Sequence, residues 1–156
     1  MIKIAVLGYG TVGSGVVEVI EKNKDMVNKK AGEELSIKYI LDLRDFPGDP
    51  YESKVVHDYQ TIVNDPEIQI ICETMGGTGA AYEFTKQALQ AGKSVCTSNK
   101  ELVAAHGPEL LTMAKEHKCN YLFEASVGGG IPIIRPLNYS LTAERIESIT
   151  GILNGT

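Results

Sequence analysis

No apolar run in this sequence approaches the roughly 18 residues that a membrane-crossing helix needs, so no span is expected. Positive charge is also in short supply. Lys and Arg total 15 against 20 Asp and Glu, a formal net charge of -5, and no basic cluster offsets it. Nucleic-acid binding rests on neutralising phosphates, so such a chain is not expected to bind one. Cysteine is scarce: Cys72, Cys96 and Cys119 are far apart, with no CxxC spacing. They sit in apolar runs and read as reduced core thiols of a cytoplasmic protein, not as a disulfide framework. His57, His106 and His117 share no metal-ligand spacing with one another or with the cysteines, which argues against zinc. No GxSxG motif and no nucleophile–base pair is present. Met1-Ile2-Lys3-Ile4 runs directly into a strand pattern with no signal-peptide core.

What remains is ordinary globular composition. The 156 residues are 43% hydrophobic and 22% charged. That is one domain's worth of chain, able to bury roughly 70% of its unfolded surface. Short apolar runs, 2–7, 35–43, 68–73, 94–98 and 120–124, read as strands buried on both faces. Between them the period changes to that of a helix. Val12, Val16, Val17, Ile20 and Val27 predict one long helix over 12–30, stopped at Gly32. Ala81, Phe84, Ala88 and Ala91 share a face of a second helix that Gly92 ends, and Pro108 suits the first turn of a third running to about Lys118. A short helix is expected over 58–64 and a loop over 44–54, where Pro47, Gly48, Asp49 and Pro50 fall. This rhythm predicts a doubly wound, mostly parallel α/β sheet of Rossmann type over residues 1–140, with helices on both faces. A further apolar run over 146–153 meets Asn154-Gly155-Thr156 as a strand-to-turn signal. The expectation is a chain cut short of its natural end, with 141–156 opening a second domain.

The sharpest motif is Gly8-Tyr9-Gly10-Thr11-Val12-Gly13, which follows the first strand and opens a helix. In that context the glycines permit a tight turn, close approach of a diphosphate, and close packing of helix on strand. The helix N-terminus adds free N–H groups and partial positive charge. The competing reading is a structural glycine turn. A residue at the end of the second strand should read the ribose. Asp42 and Arg44 fall on one face there, the acid suited to a free 2′-hydroxyl and the Arg to a 2′-phosphate, so NAD and NADP both stay open. Two further strand ends carry Glu73-Thr74-Met75-Gly76-Gly77 and Thr97-Ser98-Asn99-Lys100, where ligands of open α/β sheets bind. Beyond the fifth strand, Gly128-Gly129-Gly130 costs backbone entropy, which points to close approach by an anion, an oxygen-bound cation, or a merely flexible loop.

These segments, with Glu124-Ala125-Ser126-Val127-Gly128-Gly129-Gly130-Ile131-Pro132 and Gly151-Ile152-Leu153-Asn154-Gly155-Thr156, resemble the homoserine dehydrogenase family in order and spacing along essentially the whole chain. The resemblance implies hydride transfer interconverting L-aspartate 4-semialdehyde and L-homoserine with NADP or NAD, on the route to threonine, methionine and isoleucine. It implies that Gly8, Tyr9, Gly10, Thr11, Val12 and Gly13 hold the diphosphate, that Arg44 lies near the 2′-phosphate, and that Met75 and Gly76 border the nicotinamide ribose. Lys100 matches an active-site lysine, close to nicotinamide and substrate. Glu124, Val127, Gly129 and Ile131 match a monovalent-cation site, assigned as sodium and formed largely by backbone carbonyls. The family continues past the last segment into a catalytic, homodimer-forming domain with a second lysine and a homoserine-binding acidic pair. The expectation is therefore a chain that binds cofactor but lacks most catalytic residues. Two other readings compete. An acylating semialdehyde dehydrogenase is opposed by the lack of a suitably placed nucleophilic Cys. A sensing module that binds NAD(P)H without catalysis is the alternative outside enzymes.

Overall fold

A computed structural model describes residues 1–152. Six strands form one sheet: β1 (Ile2–Leu7), β2 (Leu35–Leu41), β3 (Val55–Val56), β4 (Ile68–Glu73), β5 (Ser94–Thr97) and β6 (Tyr121–Leu122). Their spatial order is β3-β2-β1-β4-β5-β6. Every pairing is parallel, so the sheet is wholly and not mostly parallel. The sheet carries α1 (Thr11–Lys22), α2 (Lys24–Ala31), α3 (Gln60–Val63), α4 (Gly79–Gln90) and α5 (Lys100–Glu116). This is the doubly wound order in which the chain reverses direction beside β1, leaving a crevice at the strands' carboxyl ends.

Two cores follow from burying both faces. On one side Leu7, Ile71, Val95 and Tyr121 pack with Ala81, Ala88 and Leu89 of α4 and Leu102 and Leu110 of α5. On the other, Ile4, Val6, Ile37, Ile40 and Cys72 pack with Val17 of α1. Strand residues therefore alternate between two apolar layers, which is why β1 and β4 read as mostly apolar runs, interrupted only by Lys3 in β1 and by Gln69 and Glu73 in β4.

Several expectations are corrected. The single helix over 12–30 is two helices that break at Asn23, whose φ of -105° and ψ of 25° leave the helical region. The polar stretch Lys22-Asn23-Lys24-Asp25 offers no apolar face to hold a straight helix, and no residue of α2 is buried. Pro108 is inside α5 instead of opening it. Asn99 starts that helix, its side chain accepting the Leu102 amide. The helix passes Pro108 because the preceding residue is Gly107, which presents no Cβ to the proline ring. The 44–54 loop ends in a short helical turn over Glu52–Lys54 and leads into β3, a two-residue strand too short to carry a periodic signal. The 146–153 run forms no strand through residue 152. Ile146, Ile149 and Ile152 are exposed there, with no partner strand among the described residues. Leu153 through Thr156 lie outside the described residues. No helix among the described residues is long and apolar enough to cross a membrane.

Candidate functional site

The glycine turn stands at the carboxyl end of β1, beside the point where the sheet order reverses. Gly8 takes φ +90°, a conformation that side chains disfavour. The three glycines then do different work. A Cβ on Gly13 would lie 1.9 Å from the Gly8 carbonyl oxygen and 2.8 Å from Thr74 Oγ1, so helix and strand meet through bare backbone. A Cβ on Gly10 would meet no protein atom within 4 Å, so this position faces open space. No side chain caps α1, and its first turn has no acidic residue. The opening amides thus have no side-chain acceptor in the cap and no nearby carboxylate in the first turn, an arrangement able to take an anion.

The end of β2 is tied to that turn. Asp42 Oδ2 accepts the Tyr9 amide at 2.9 Å, and Arg44 grips both Asp42 oxygens through Nε and Nη2, each at 3.0 Å. The Arg44 guanidinium holds the Asp42 carboxyl well below the usual carboxylate range. Arg44 also lies over the Phe46 ring, 5.0 Å from its centroid, with most of its side chain in solvent. Tyr9 sends its hydroxyl to Asp49 and meets Phe46 edge-on at 4.9 Å. Sequence reasoning found Asp42 and Arg44 but did not see that they bind each other. It missed His57, whose Nδ1 lies 2.7 Å from the Asp42 carbonyl oxygen, because β3 carries it there from the next loop.

Beyond β4 and β5 a buried polar network sets the loops. Glu73 is fully buried. Its Oε1 accepts the Met75 amide at 2.7 Å, and its Oε2 accepts the Thr97 hydroxyl at 2.5 Å. Burial raises its pKa, against the pull of these donors. Thr97 Oγ1 accepts the Asn99 amide at 2.9 Å, and Asn99 Nδ2 donates to the Gly77 carbonyl at 2.6 Å. Thr74 Oγ1 lies within donating distance of the Leu7 and Gly8 carbonyls, 2.9 and 3.0 Å away. The loop bearing Met75 and Gly76 and the start of the helix bearing Lys100 are therefore held as one piece. Reading from sequence passed over Glu73 and Asn99 as partners; a buried acid closing an apolar strand was the available signal.

Two clefts flank Thr74. The first, about 640 Å³, is lined by Gly8, Gly10, Asp42, Arg44, His57 and Met75 among others. The second, about 280 Å³, is lined by Val12, Cys96, Thr97, Glu124 and Arg135 among others. Lys100, the first residue of α5, is exposed and belongs to the lining of neither.

The loop after β6 carries the expected cation residues. The Glu124 carboxylate is engaged: Oε1 accepts the Ile133 and Ile134 amides at 2.6 and 2.9 Å, and Oε2 accepts the Arg135 amide at 2.7 Å. Desolvation opposes its ionisation, but the three amides prevail and keep its pKa low. Its side chain thus caps the turn at residues 133–135. The carbonyls of Val127, Gly129 and Ile131 accept no hydrogen bond from a described residue, while that of Glu124 accepts only the Val127 amide, at 3.3 Å. Gly128 and Gly129, at φ +71° and +60°, set the carbonyl directions. A set of backbone oxygens without a free carboxylate fits a singly charged, oxygen-preferring ion. The described residues contain no cluster of three or more His, Cys, Asp or Glu for a transition metal.

Comparison with known proteins places these features in a family. The model described as the NAD-binding domain of homoserine dehydrogenase matches residues 8–124. A homoserine dehydrogenase of Bacillus subtilis is 40% identical over 162 aligned positions, covering 99% of this chain. One from Synechocystis is 42% identical over 158, with the same coverage. The chain spans about 36% of the length of each of these relatives. A crystal structure of a homoserine dehydrogenase from Thiobacillus denitrificans superposes with a TM-score of 0.85 at 38% identity, covering 94% of this chain and 34% of that one. A hyperthermophilic archaeal homoserine dehydrogenase mutant in complex with NADPH superposes at 0.75 with 29% identity, covering 91% of this chain and 49% of that one.

Proposed function

Because the chain belongs to the homoserine dehydrogenase family and carries its NAD-binding domain, we propose that it binds NADPH or NADH at the Gly8–Gly13 turn and that the whole protein interconverts L-aspartate 4-semialdehyde and L-homoserine. The observation that carries this reading is the division of labour between Gly13, jammed against Gly8, and Gly10, open to a ligand beside an uncapped helix N-terminus.

The diphosphate sits on the amides of Gly10 to Gly13, with Tyr9 fixed behind them by Asp42. Arg44, mostly in solvent yet anchored by Asp42, offers its remaining N–H groups to a 2′-phosphate, which favours NADP. Met75 and Gly76 border the nicotinamide ribose. When bound, the nicotinamide supplies a hydride to the aldehyde carbon. Lys100 contributes positive charge to the oxygen of that carbonyl, on a helix start that Asn99 pins to Gly77. The backbone carbonyls of Glu124, Val127, Gly129 and Ile131 hold a monovalent cation, sodium in this reading. Residues 1–140 form the nucleotide-binding domain and 141–156 open the catalytic, homodimer-forming domain, whose residues complete the substrate site. The whole protein works in the cytoplasm.

Titrating the purified chain with NADPH and NADH, followed by nicotinamide fluorescence, tests the binding. Saturable binding with NADPH the tighter is expected, with negligible turnover of semialdehyde. Absence of binding to either nucleotide would overturn the assignment of the turn, and conversion at an enzyme-like rate would overturn the assignment of catalysis to residues beyond this chain.

A further inference from the structure

Cys72 on β4 and Cys96 on β5 are register partners in neighbouring parallel strands, and their sulfurs lie 3.3 Å apart. We propose that this pair is an oxidation site, which a peroxide-class oxidant converts to an intrachain disulfide, loosening the cofactor turn. The disulfide stands on the thiol geometry alone; its effect on cofactor rests on the binding reading above.

The geometry suits the bond. Adjacent strands run about 4.8 Å apart, inside the roughly 4.4–6.8 Å between Cα atoms that a disulfide spans. Both side chains point to the α1 side of the sheet, Cys72 in its core and Cys96 packed against it. Their hydrogen bond holds Cys96 below the ordinary thiol value and pushes Cys72, the more buried, above it. Cys96 is thus the first to ionise, and both cysteines of the pair line the second cleft, through which a small oxidant can reach Cys96, the less buried of the two. Cys119 is bonded to carbonyls and not to a thiol: its Sγ lies 3.7 Å from the Leu89 and Ala114 carbonyl oxygens, and burial raises its pKa.

The chemistry closes with a peroxide alone. The Cys96 thiolate attacks one peroxide oxygen, the O–O bond breaks, hydroxide leaves, and Cys96 becomes a sulfenic acid. The Cys72 sulfur then attacks the Cys96 sulfur, the S–O bond breaks, and water departs with the Cys72 proton. Two thiols lose two electrons, and the peroxide ends as two waters once the hydroxide takes up the proton that Cys96 released. Drawing the sulfurs together shifts the next residues along each strand. Those are Glu73 and Thr97, which share a hydrogen bond, and Thr74, which lies against the Gly8 carbonyl.

Treating the purified chain with hydrogen peroxide tests this. We expect a mass loss of about 2 Da, a tryptic peptide linking Cys72 to Cys96, and reversal by dithiothreitol. Cys119→Ser should keep the link, while Cys72→Ser and Cys96→Ser should each abolish it. Oxidised protein should bind NADPH at least about five-fold more weakly than reduced protein, recovering on reduction. Three persistent thiols, or a link through Cys119, would overturn the proposal. A Cys72–Cys96 link with unchanged NADPH affinity would overturn its effect on the turn. A link in protein that binds NADPH in neither state would uphold the disulfide and refute the cofactor reading instead.

Discussion

Gly13 and Gly8 meet without side chains: a methyl group on Gly13 would stand 1.9 Å from the Gly8 carbonyl oxygen. Helix α1 can therefore start where it does only if position 13 is bare. Gly13→Ala should destabilise the protein by at least about 2 kcal/mol, lowering Tm by roughly 5 °C or more. Gly10→Ala meets no protein atom and should leave Tm unchanged, yet weaken NADPH about tenfold or more, because the space it fills belongs to the diphosphate. Calorimetry and fluorescence titration separate the two. A Gly10→Ala protein with wild-type affinity would place the diphosphate elsewhere.

Asp42 gives the fold a pH dependence of known sign. Arg44 lowers its pKa in the folded protein, so its stabilisation is complete above the ordinary Asp value of about 3.9 and fades as pH falls through the lower folded value. Denaturant titrations of wild type and Asp42→Asn should converge steadily below that pH. A constant gap would show that Asp42 stabilises without its charge.

Glu73 acts with the opposite sign. Its pKa is raised by burial, so its own contribution to stability is most favourable below the ordinary Glu value of about 4.3 and is lost as pH rises through the folded value. Glu73→Gln should remove that slope while keeping an acceptor for the Met75 amide. Glu73→Ala strands the Met75 amide and the Thr97 hydroxyl and should cost about 2–4 kcal/mol. Urea unfolding at several pH values measures both.

Lys100 stands exposed at the head of α5 without an ion-pair partner among the described residues, and on the proposed reading its charge serves the substrate carbonyl. If the whole protein has the proposed dehydrogenase activity, Lys100→Ala in it should lower kcat by about 100-fold or more. A near-normal steady-state kcat would remove it from the reaction.

The sequence made much of this legible because the signals are local. A glycine triad that follows a strand and opens a helix needs no partner to be recognised. Apolar runs at the lengths of β1 and β4 declare burial on both faces. Asp42 and Arg44 were legible as candidates because they follow a strand, but the bond from the Tyr9 amide to Asp42 was not, since it joins residues 33 apart. The start of α5 was misplaced because Pro108 is a strong local signal, while Asn99 acts as a cap only once the chain turns there.

The sequence by itself determined the fold class, the glycine turn, and the family likeness, all of them written in short-range spacing and period. Tertiary structure alone decided that Cys72 and Cys96, far apart in the chain, would face each other across two strands, and that Glu73 would tie the Met75 loop to the head of α5. The physical reason is register: strand pairing fixes which distant residues touch, and no local period records it.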